Sequence, residues 1–583
     1  MNVDLLQMEL PVPWVQLHLK FSRIYFELQP VNPRPKRAGS YRLCEGRNLK
    51  NLTRSEIMPK IVTAEEAVKQ IKDGATIYTT GITLGGFAEE VAMAIETGFK
   101  EAGHPRDLTF YYPSGIGNRA TRGFAHLAHE GLIKRAVGGH FKGCGPAWTK
   151  MVQANQMEAY NFPQGIMTTM LRNIAARKAG IVTKVGLGTF VDPRVGSGGK
   201  LNARTEACED LIEVVNLEGQ DWLYYKIPKL DVAIIRGSVA DEKGNISLYR
   251  EGYFLEQLSC AQAAKASGGI VIAQVEHIVK EGTLNPKEVK IPGIFVDYLV
   301  VAKSENHFQT GQTYFNPVYA GDIKIPIDAI PAEPLSERKI IARRANMELF
   351  PGAVINNGVG IPEIAAAVCA EEKINHLFTM TTEAGHLGGI PAGAHDFGCC
   401  YNSEAIVEMG HQFDFFNGGM IDVAILGLAQ VDPTGDMNVS QINGEPIGIG
   451  GFIDISQNAK KTVFVGSFTT GGLKVKVEDG KLHIVQEGRA KKFISKVEQI
   501  TFSGKYAQSI KQPVLYVTER AVFELTQEGV ELIEIAPGID LEKDILQQMD
   551  FKPVIKNPKL MPAGIFREEP GAVAEVVNAK VKE

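Results

Sequence analysis

Apolar and polar residues alternate along the chain in blocks that predict an α/β protein. Residues 63–74 (TAEEAVKQIKDG) have the spacing of an amphipathic helix with Thr63 as its N-cap. The short apolar run 75–81 (ATIYTTG) then predicts a strand, and residues 87–100 predict a second helix. Alternation of this kind is typical of a largely parallel sheet covered by helices.

The same order of elements returns in the second part of the chain. Residues 336–352 predict a helix with Ser336 as its N-cap, residues 353–360 (AVINNGVG) a strand and a glycine turn, and residues 361–372 another helix. The repetition indicates that the chain contains two related α/β domains.

Two further sequence pairs support a duplication. A segment beginning DVAI at Asp231 and another at Asp422 each continue to an Asp ten residues later and then x-x-Gly, which predicts a buried strand leading to a turn. A weaker pair, residues 268–275 and 460–468, comes next in the same order. We therefore expect homologous domains with the best ligand site between them, beyond the carboxyl ends of the strands.

Domain boundaries can be placed from these patterns. Residues 1–57 lack a clear period and are expected to be an extension outside the fold. The first domain is predicted at 58–325 and the second at 336–560, joined by a proline-rich linker at 326–335 and followed by a short tail at 561–583.

Composition narrows the class of protein. The chain has 583 residues and a formal net charge of −5, so no basic field favours nucleic acid or an anionic membrane. Its seven cysteines are scattered without a C-x-x-C pair, which predicts neither a metal site nor a disulfide framework. No apolar run approaches the ~18 residues of a membrane span. A cytoplasmic protein with small-molecule substrates is the resulting expectation.

The most informative segment is 379–398 (TMTTEAGHLGGIPAGAHDFG). A predicted strand runs into Glu383, and Gly388 and Gly389 are among four glycines that follow within eleven residues. The Glu could simply stabilise a turn. Glycine-rich backbone, however, lets N–H groups converge on a ligand, so Glu383 is a candidate for chemistry.

This segment resembles the family I CoA-transferases, in particular the single-chain acetate or propionate enzymes with fused α and β halves. The resemblance extends from Met58 to about residue 560. In that family a glutamate followed by x-Gly, ahead of a G-G-x-P-x-G run, is the nucleophile, and Glu383 matches it. Ala384 stands where Asn or Ser is commoner.

Other motifs carry the resemblance into both domains. Residues 446–454 (PIGIGGFID) resemble the family's G-x-G-G-x-x-D loop, which implies that Gly450 and Gly451 offer N–H donors to the reacting oxygen. Gln164, in a P-Q-G segment, is implied to direct its amide at the same centre from the first domain.

Two motifs imply substrate-binding residues. NNGVGIP resembles the N-x-G-x-G-x-P turn that opens the second half, giving Asn357, Gly358 and Gly360. A segment similar to F-D-F-x-x-G-G-G gives Phe413 and Phe416, which would wall an acyl pocket or pack in the core.

The resemblance implies a fold of the NagB/RpiA/CoA-transferase-like type and a reaction that exchanges CoA between a short-chain acyl-CoA and a free carboxylate. It implies ping-pong kinetics through an acyl-glutamyl anhydride and a glutamyl-CoA thioester, with CoA as substrate, no permanently bound cofactor and a homo-oligomer. A carboxylate nucleophile fits this chemistry because a Ser or Cys would pass on the acyl group rather than CoA.

Alternative functions are also compatible with the sequence. The same site would act as an acyl-CoA thioesterase if water entered, and non-catalytic nucleotide-sensing proteins share the fold. A dinucleotide-dependent dehydrogenase is disfavoured because no G-x-G-x-x-G joins a strand to a helix. His386 is expected to pack rather than act as a base, and Lys474 and Lys476 stay open as contacts for the CoA phosphates.

Overall fold

The structure is a computed structural model that describes residues 58–327 and 332–580. The expected extension at 1–57, part of the expected linker (328–331) and the last three residues of the expected tail lie outside the described residues.

The first half, up to residue 327, contains six helices and fifteen strands within its described residues. The helices are α1 Ala64–Val68, α2 Glu89–Ala102, α3 Pro146–Gln153, α4 Gln164–Ala175, α5 Ala203–Glu206 and α6 Gln257–Ser267. The strands are β1 Lys60–Val62, β2 Thr76–Thr79, β3 Leu108–Tyr112, β4 Ile133–Gly138, β5 Glu158–Asn161, β6 Gly180–Thr183, β7 Ile212–Leu217, β8 Gln220–Lys226, β9 Val232–Arg236, β10 Val239–Asp241, β11 Ile246–Ser247, β12 Ile270–Val275, β13 His277–Val279, β14 Val289–Ile291 and β15 Tyr298–Val301.

The second half is built in the same manner. Its helices are α7 Glu337–Asn346, α8 Ile361–Glu371, α9 Met409–Asn417, α10 Phe452–Asn458, α11 Gly504–Ser509 and α12 Ala572–Ala579. Its strands are β16 Val354–Asn357, β17 Thr379–Thr381, β18 His386–Leu387, β19 Ile390–Pro391, β20 Cys400–Tyr401, β21 Ala405–Ile406, β22 Val423–Gly427, β23 Gln430–Val431, β24 Met437–Asn438, β25 Gln441–Ile442, β26 Glu445–Pro446, β27 Lys461–Val465, β28 Thr469–Thr470, β29 Lys474–Glu478, β30 Lys481–Gln486, β31 Ala490–Lys491, β32 Val514–Val517, β33 Ala521–Thr526, β34 Gly529–Ile535 and β35 Val554–Leu560.

Each half is organised around one large sheet. The first sheet has the order β1-β15-β12-β9-β2-β3-β4-β5, with every neighbouring pair parallel. The second has the order β21-β18-β17-β16-β22-β27-β32-β33-β34-β35, and its centre from β17 to β32 is parallel. Central strands such as β9 are buried along their whole length, as expected of a sheet covered on both faces.

The two sheets share a strand order. The series β15-β12-β9-β2-β3 in the first corresponds to β32-β27-β22-β16-β17 in the second. The two DVAI segments form β9 and β22, which occupy the same central place in their sheets. The prediction of two homologous α/β halves with parallel sheets is confirmed.

Helix caps and turns agree with the sequence patterns. The Thr63 hydroxyl accepts from the Glu66 N–H at 3.2 Å and the Glu66 carboxylate accepts from the Thr63 N–H at 3.0 Å, a complete capping box. Ser336 caps α7 by accepting from the Lys339 N–H at 3.3 Å. These side chains satisfy backbone donors that would otherwise lack partners at the helix start.

The segment after residue 560, set apart as a tail from the sequence, contributes to the second half. Helix α12 buries Val573 and Val577 completely in the same apolar cluster as Ile340 and Ile341 of α7. Across the described residues, no helix combines the length and apolar character needed to cross a bilayer.

Candidate active site

A cavity of about 100 Å³ with an open mouth lies where the two halves meet. Its walls come from loops that follow the carboxyl ends of parallel strands in both sheets, the place where α/β proteins bind ligands. The lining residues are Ile82, Thr83, Ser114, Gly115, Gly117, Arg119, His140, Gly143 and Gln164 from the first half and Val359, Glu383, Phe397 and Gly450 from the second.

Glu383 lies two residues after the end of β17, in the turn that leads to the antiparallel strand β18. Its carboxyl group lies beside Gly451, the last residue of segment 447–451, which we call the glycine loop. A methyl group added at Gly451 would lie 2.9 Å from the Glu383 carboxyl carbon, so only glycine leaves room for the carboxylate there. The turn itself needs Gly385, which has φ +112° and would clash with the Val407 carbonyl if it carried a side chain.

Burial changes the acid strength of two carboxyl groups. Desolvation, assisted by the nearby charge of Asp454 and opposed by the backbone N–H of Gly451, raises the pKa of Glu383 to about 7. Burial likewise raises the pKa of Asp454 to about 7, although hydrogen bonds from Gly165 and Asn417 oppose the shift. Both carboxyl groups therefore hold a proton more tightly than ordinary carboxyl groups, and the ionised form of Glu383 is more basic than an ordinary carboxylate.

Backbone hydrogen bonds fix the glycine loop to the first half. The Gly139 carbonyl accepts from the Gly450 N–H at 2.7 Å, and the N–H groups of Phe141 and Lys142 both donate to the Ile447 carbonyl at 2.9 Å. These bonds join main chain to main chain, so they hold the loop regardless of most side chains nearby.

Gln164 begins α4 and reaches the same place from the first half. Its N–H donates to the Gly450 carbonyl at 2.9 Å, and its side chain is completely buried in the cavity wall. Among the described residues, the amide Nε2 hydrogen-bonds to the sulfur of Met409 at 3.2 Å, and Oε1 has no hydrogen-bond partner. Because sulfur is a weak acceptor, rotation of this amide toward a ligand oxygen would give up only a weak hydrogen bond.

Asp454 connects the two halves below the glycine loop. Its carboxylate accepts from the Gly165 N–H at 3.0 Å and from the Asn417 amide at 3.2 Å, and it is completely buried. Gly165 must be glycine because a methyl group would lie 2.3 Å from an Asp454 oxygen. The start of α4, which carries Gln164, is therefore held at a fixed position relative to Glu383.

The assembled group has a partly exposed carboxylate with backbone N–H groups beside it, and no imidazole of the described part of the chain hydrogen-bonds to it. His386, three residues further on, is completely buried, hydrogen-bonds Ser403 at 2.7 Å and has its pKa lowered by burial to about 4. A carboxylate needs no base to become a nucleophile. The arrangement suits attack on a carbonyl carbon with stabilisation of the resulting oxyanion.

Comparison with known proteins agrees with this geometry. Residues 61–302 match the family model described as Coenzyme A transferase. The chain is 50% identical over 519 residues to caffeate CoA-transferase of Acetobacterium woodii, covering 88% of this chain and 98% of that protein. It is 45% identical over 509 residues to acetate CoA-transferase YdiF of Escherichia coli K12, covering 87% and 95%. The chain belongs to the family I coenzyme A transferases.

A solved structure extends the likeness to three dimensions. The acyl-CoA transferase YdiF of Escherichia coli O157:H7, crystallised as a thioester complex with CoA, superposes with a TM-score of 0.83 at 43% identity, covering 89% of this chain and 98% of that chain. The protein is therefore an enzyme that transfers CoA between an acyl-CoA and a free carboxylate.

Within the transferase, several residues suggested by the motifs lie away from the cavity wall. Gly388 and Gly389 have φ of +72° and +77° and turn the chain after β18, closely packed against Glu404 and the Tyr401 backbone. Their contribution in the structure is to the shape of the turn that follows Glu383.

The NNGVG turn lies at the cavity edge rather than in its floor. Among its residues in the described chain, Val359 lines the cavity, and it is 47% exposed. Gly358 packs on Leu426, Gly360 opens α8 with free space around its Cα, and Asn357 is buried with its side-chain oxygen unpartnered.

The two phenylalanines of α9 are completely buried in the core of the second half, with their rings 5.6 Å apart. Phe413 supports the site from behind, because a methyl group at Gly451 or at Gly165 would lie 2.9 or 2.8 Å from its ring. Phe416 packs behind it. Neither is among the lining residues of the described cavity.

The sequence motifs missed most of the first-half wall. Ser114, Arg119 and His140 all line the cavity, yet none belongs to a motif recognised in the sequence. Each of them follows the carboxyl end of a parallel strand of the first sheet, Ser114 and Arg119 after β3 and His140 after β4. Lys474 and Lys476 lie on the exposed hairpin strand β29 and do not line the cavity.

Proposed function

We propose that Glu383 is the covalent carrier of CoA in this transferase. The observation that carries the proposal is the contact between its carboxyl group and Gly451, in a cavity that also contains Gln164. Because the pKa of Glu383 is about 7, its ionised form is a stronger nucleophile than an ordinary glutamate.

The reaction begins when a carboxylate oxygen of Glu383 attacks the thioester carbonyl of the acyl-CoA. The C–S bond breaks, CoA leaves as thiolate, and an acyl-glutamyl anhydride remains. The thiolate then attacks the Glu383 carbonyl carbon, releasing the free acid and forming a glutamyl-CoA thioester. An acceptor carboxylate repeats these steps in reverse order and regenerates Glu383. No proton moves in any step, consistent with a site that lacks a general base.

Each addition creates an oxyanion that needs donors. We propose the N–H groups of Gly450 and Gly451 together with the side-chain amide of Gln164. The main-chain bonds of the glycine loop place these groups before substrate arrives, and such preorganisation is usually the largest electrostatic contribution to catalysis. The Gly450 N–H already donates to the Gly139 carbonyl, so its contribution would require a shared hydrogen bond.

For substrates we propose acetyl-, propionyl-, butyryl- or lactoyl-CoA with short-chain carboxylates as acceptors, no permanently bound cofactor, and a homo-oligomeric enzyme in the cytoplasm. Acetate is in the name of a relative at 45% identity, which supports the short-chain range. A relative at 50% identity is named for caffeate, so an aromatic acid belongs in the test panel. Single-methylene discrimination amounts to only ~1–3 kcal/mol.

The test traps the glutamyl-CoA thioester. The enzyme is mixed with acetyl-CoA and sodium borohydride and then digested for mass spectrometry. We expect reduction of the Glu383 side chain to an alcohol in the wild type and no labelled peptide in Glu383→Ala. Reduction at another residue, or full turnover by Glu383→Ala, would overturn the proposal. CoA release that persists at the same rate when the acceptor acid is omitted would instead favour a thioesterase.

A further inference from the structure

Arg119 carries an unneutralised positive charge in the wall of the transfer cavity. It is the one Lys or Arg among the lining residues of the described chain. No carboxylate of residues 58–327 or 332–580 forms an ion pair with its guanidinium, whereas its loop neighbour Arg122 donates to the Glu305 carbonyl at 2.6 Å and lies over the Phe308 ring. A charge without a protein partner at a ligand site is available to a ligand.

The other residues that line the cavity do not supply a positive charge. His140 accepts a hydrogen bond from the Gly143 N–H at its Nδ1 atom, and burial together with the charges of Arg119 and Lys142 lowers its pKa to about 4. His140 is therefore neutral at physiological pH. The remaining lining residues are uncharged except Glu383.

The loop that carries Arg119 has a defined conformation. The Asn118 side-chain oxygen accepts from the N–H groups of Ala120, Thr121 and Arg122 at 2.9–3.0 Å, and Arg119 itself has φ +60°. Burial raises the pKa of Glu363, in the first turn of α8 in the second half, and the charges of Arg338 and Arg119 oppose this shift, so the Arg119 charge acts across the cleft.

Both substrates of a CoA-transferase are anions that must approach a cavity lined by the Glu383 carboxyl group, with the Asp454 carboxyl group buried nearby. Like charges inside a low-dielectric site repel an incoming carboxylate or phosphate. A single unpaired guanidinium at the entrance would offset this repulsion and offer a bidentate contact to either type of oxyanion.

We infer that Arg119 recognises the anionic group of an incoming substrate, either the carboxylate of the free acid or a phosphate of CoA. The inference rests on the proposed function of the cavity as the transfer site. It assigns Arg119 to substrate capture and leaves the covalent chemistry to Glu383.

Ping-pong kinetics allow kcat/KM to be measured separately for acyl-CoA and for the acid. We expect Arg119→Gln to lower at least one of the two by about 10- to 100-fold, the range for loss of a hydrogen bond to a charged group, with Arg119→Lys intermediate. Arg122→Gln is the matched control and should stay within about twofold of wild type, because its side chain faces Glu305 and Phe308.

The affected substrate identifies the anion. A loss confined to the acid assigns a carboxylate, and a loss confined to acetyl-CoA that disappears when acetyl-pantetheine replaces it assigns a phosphate. Unchanged kcat/KM for both substrates in Arg119→Gln, an equal loss in Arg122→Gln, or a loss that persists with acetyl-pantetheine and spares the acid would overturn the inference. Borohydride trapping at Glu383 in Arg119→Gln shows separately whether the proposed function holds.

Discussion

Equivalent strands of the two halves are followed by residues with different chemical properties. Strand β3 of the first sheet and β17 of the second occupy the same place in the shared strand order. Two residues beyond the end of β3 lies Ser114, and two residues beyond the end of β17 lies Glu383; both line the cavity. One architecture thus presents a neutral hydroxyl at one strand end and, at the equivalent strand end, the carboxylate that we propose as the nucleophile.

The difference arises from the connection that leaves each strand. After β3 the first sheet continues with the parallel strands β4 and β5, and the end of β5 leads to Gln164. After β17 the second half turns back at once into antiparallel β18, which places Glu383 at a tight turn against the glycine loop. The two halves therefore each place one strand end at the same crevice. The segments that follow β3 and β17 differ, and this difference gives Ser114 and Glu383 different surroundings.

Of the pair Ser114 and Glu383, replacement of the charged residue Glu383 is expected to have the largest effect. Glu383→Ala should lower kcat for CoA transfer by about 10⁴-fold or more, because a covalent step has no substitute when its nucleophile is lost. Steady-state kinetics with acetyl-CoA and propionate measure this. Residual activity within tenfold of wild type would show that another group carries CoA.

The contact between Glu383 and the glycine loop can be tested by the Gly451→Ala substitution, which adds one methyl group. Gly451 has φ −84°, which alanine adopts freely, so Gly451→Ala acts by crowding the Glu383 carboxyl carbon and the Phe413 ring, each 2.9 Å from the added methyl group. We expect kcat to fall about 10²- to 10³-fold, as for loss of an oxyanion donor. Gly427→Ala is the control, since the nearest atom to its added methyl is 3.9 Å away. Equal kinetics of the two variants would contradict the proposed geometry.

Glu383 should cost the fold stability when it is ionised. Its pKa is raised from 4.5 to about 7, so the penalty is absent below about pH 4.5, grows as pH rises to 7 and is constant above. Glu383→Gln should therefore be more stable than wild type at pH 8 by up to about 3 kcal/mol, with little difference at pH 4.5. Denaturant unfolding at the two pH values measures this, and a pH-independent difference would refute it.

Asp454 should set the pH range of activity. The charge of Asp454 helps to raise the pKa of Glu383. In Asp454→Asn, the increase of kcat/KM with pH should therefore occur at lower pH. An interaction of ~1.4 kcal/mol corresponds to a shift of about one pH unit. Asparagine can still accept from the Gly165 N–H, so α4 keeps its place. A profile that scales down without shifting would assign Asp454 a purely structural role.

The smallest effect on activity is expected at Ser114, the counterpart of Glu383 in the first half. Ser114→Ala removes one hydroxyl from the cavity wall, and we expect kcat/KM to stay within about threefold of wild type. A loss approaching that of Gly451→Ala would mean that the first-half strand end also participates in the chemistry, and the division of roles between the halves would have to be revised.

Local signals in the sequence were sufficient to predict two α/β halves and to single out Glu383 as a candidate for chemistry. The caps at Thr63 and Ser336 depend only on neighbouring residues, and the paired DVAI strands are apolar because they are buried on both faces, so both could be predicted. Glu383 stood out because an acidic residue at a strand end among glycines, although it could stabilise a turn, is poorly explained by folding alone.

Contacts between distant segments could not be predicted in the same way. An aromatic residue on a helix has the same pattern whether it faces a ligand or the core, so the complete burial of Phe413 and Phe416 required the packed structure. Arg119 and His140 were missed because their position depends on how the first sheet faces the second, which no local pattern encodes.

The main-chain bonds from Gly139, Phe141 and Lys142 to the glycine loop have an evolutionary consequence. Since these bonds use peptide groups that nearly every amino acid possesses, mutations can remodel the acid-binding walls while the donors beside Glu383 stay in register. New acid preferences could then arise by exchange of a few wall side chains. Enzymes of this architecture should accordingly diversify in what they accept long before they lose the ability to transfer CoA.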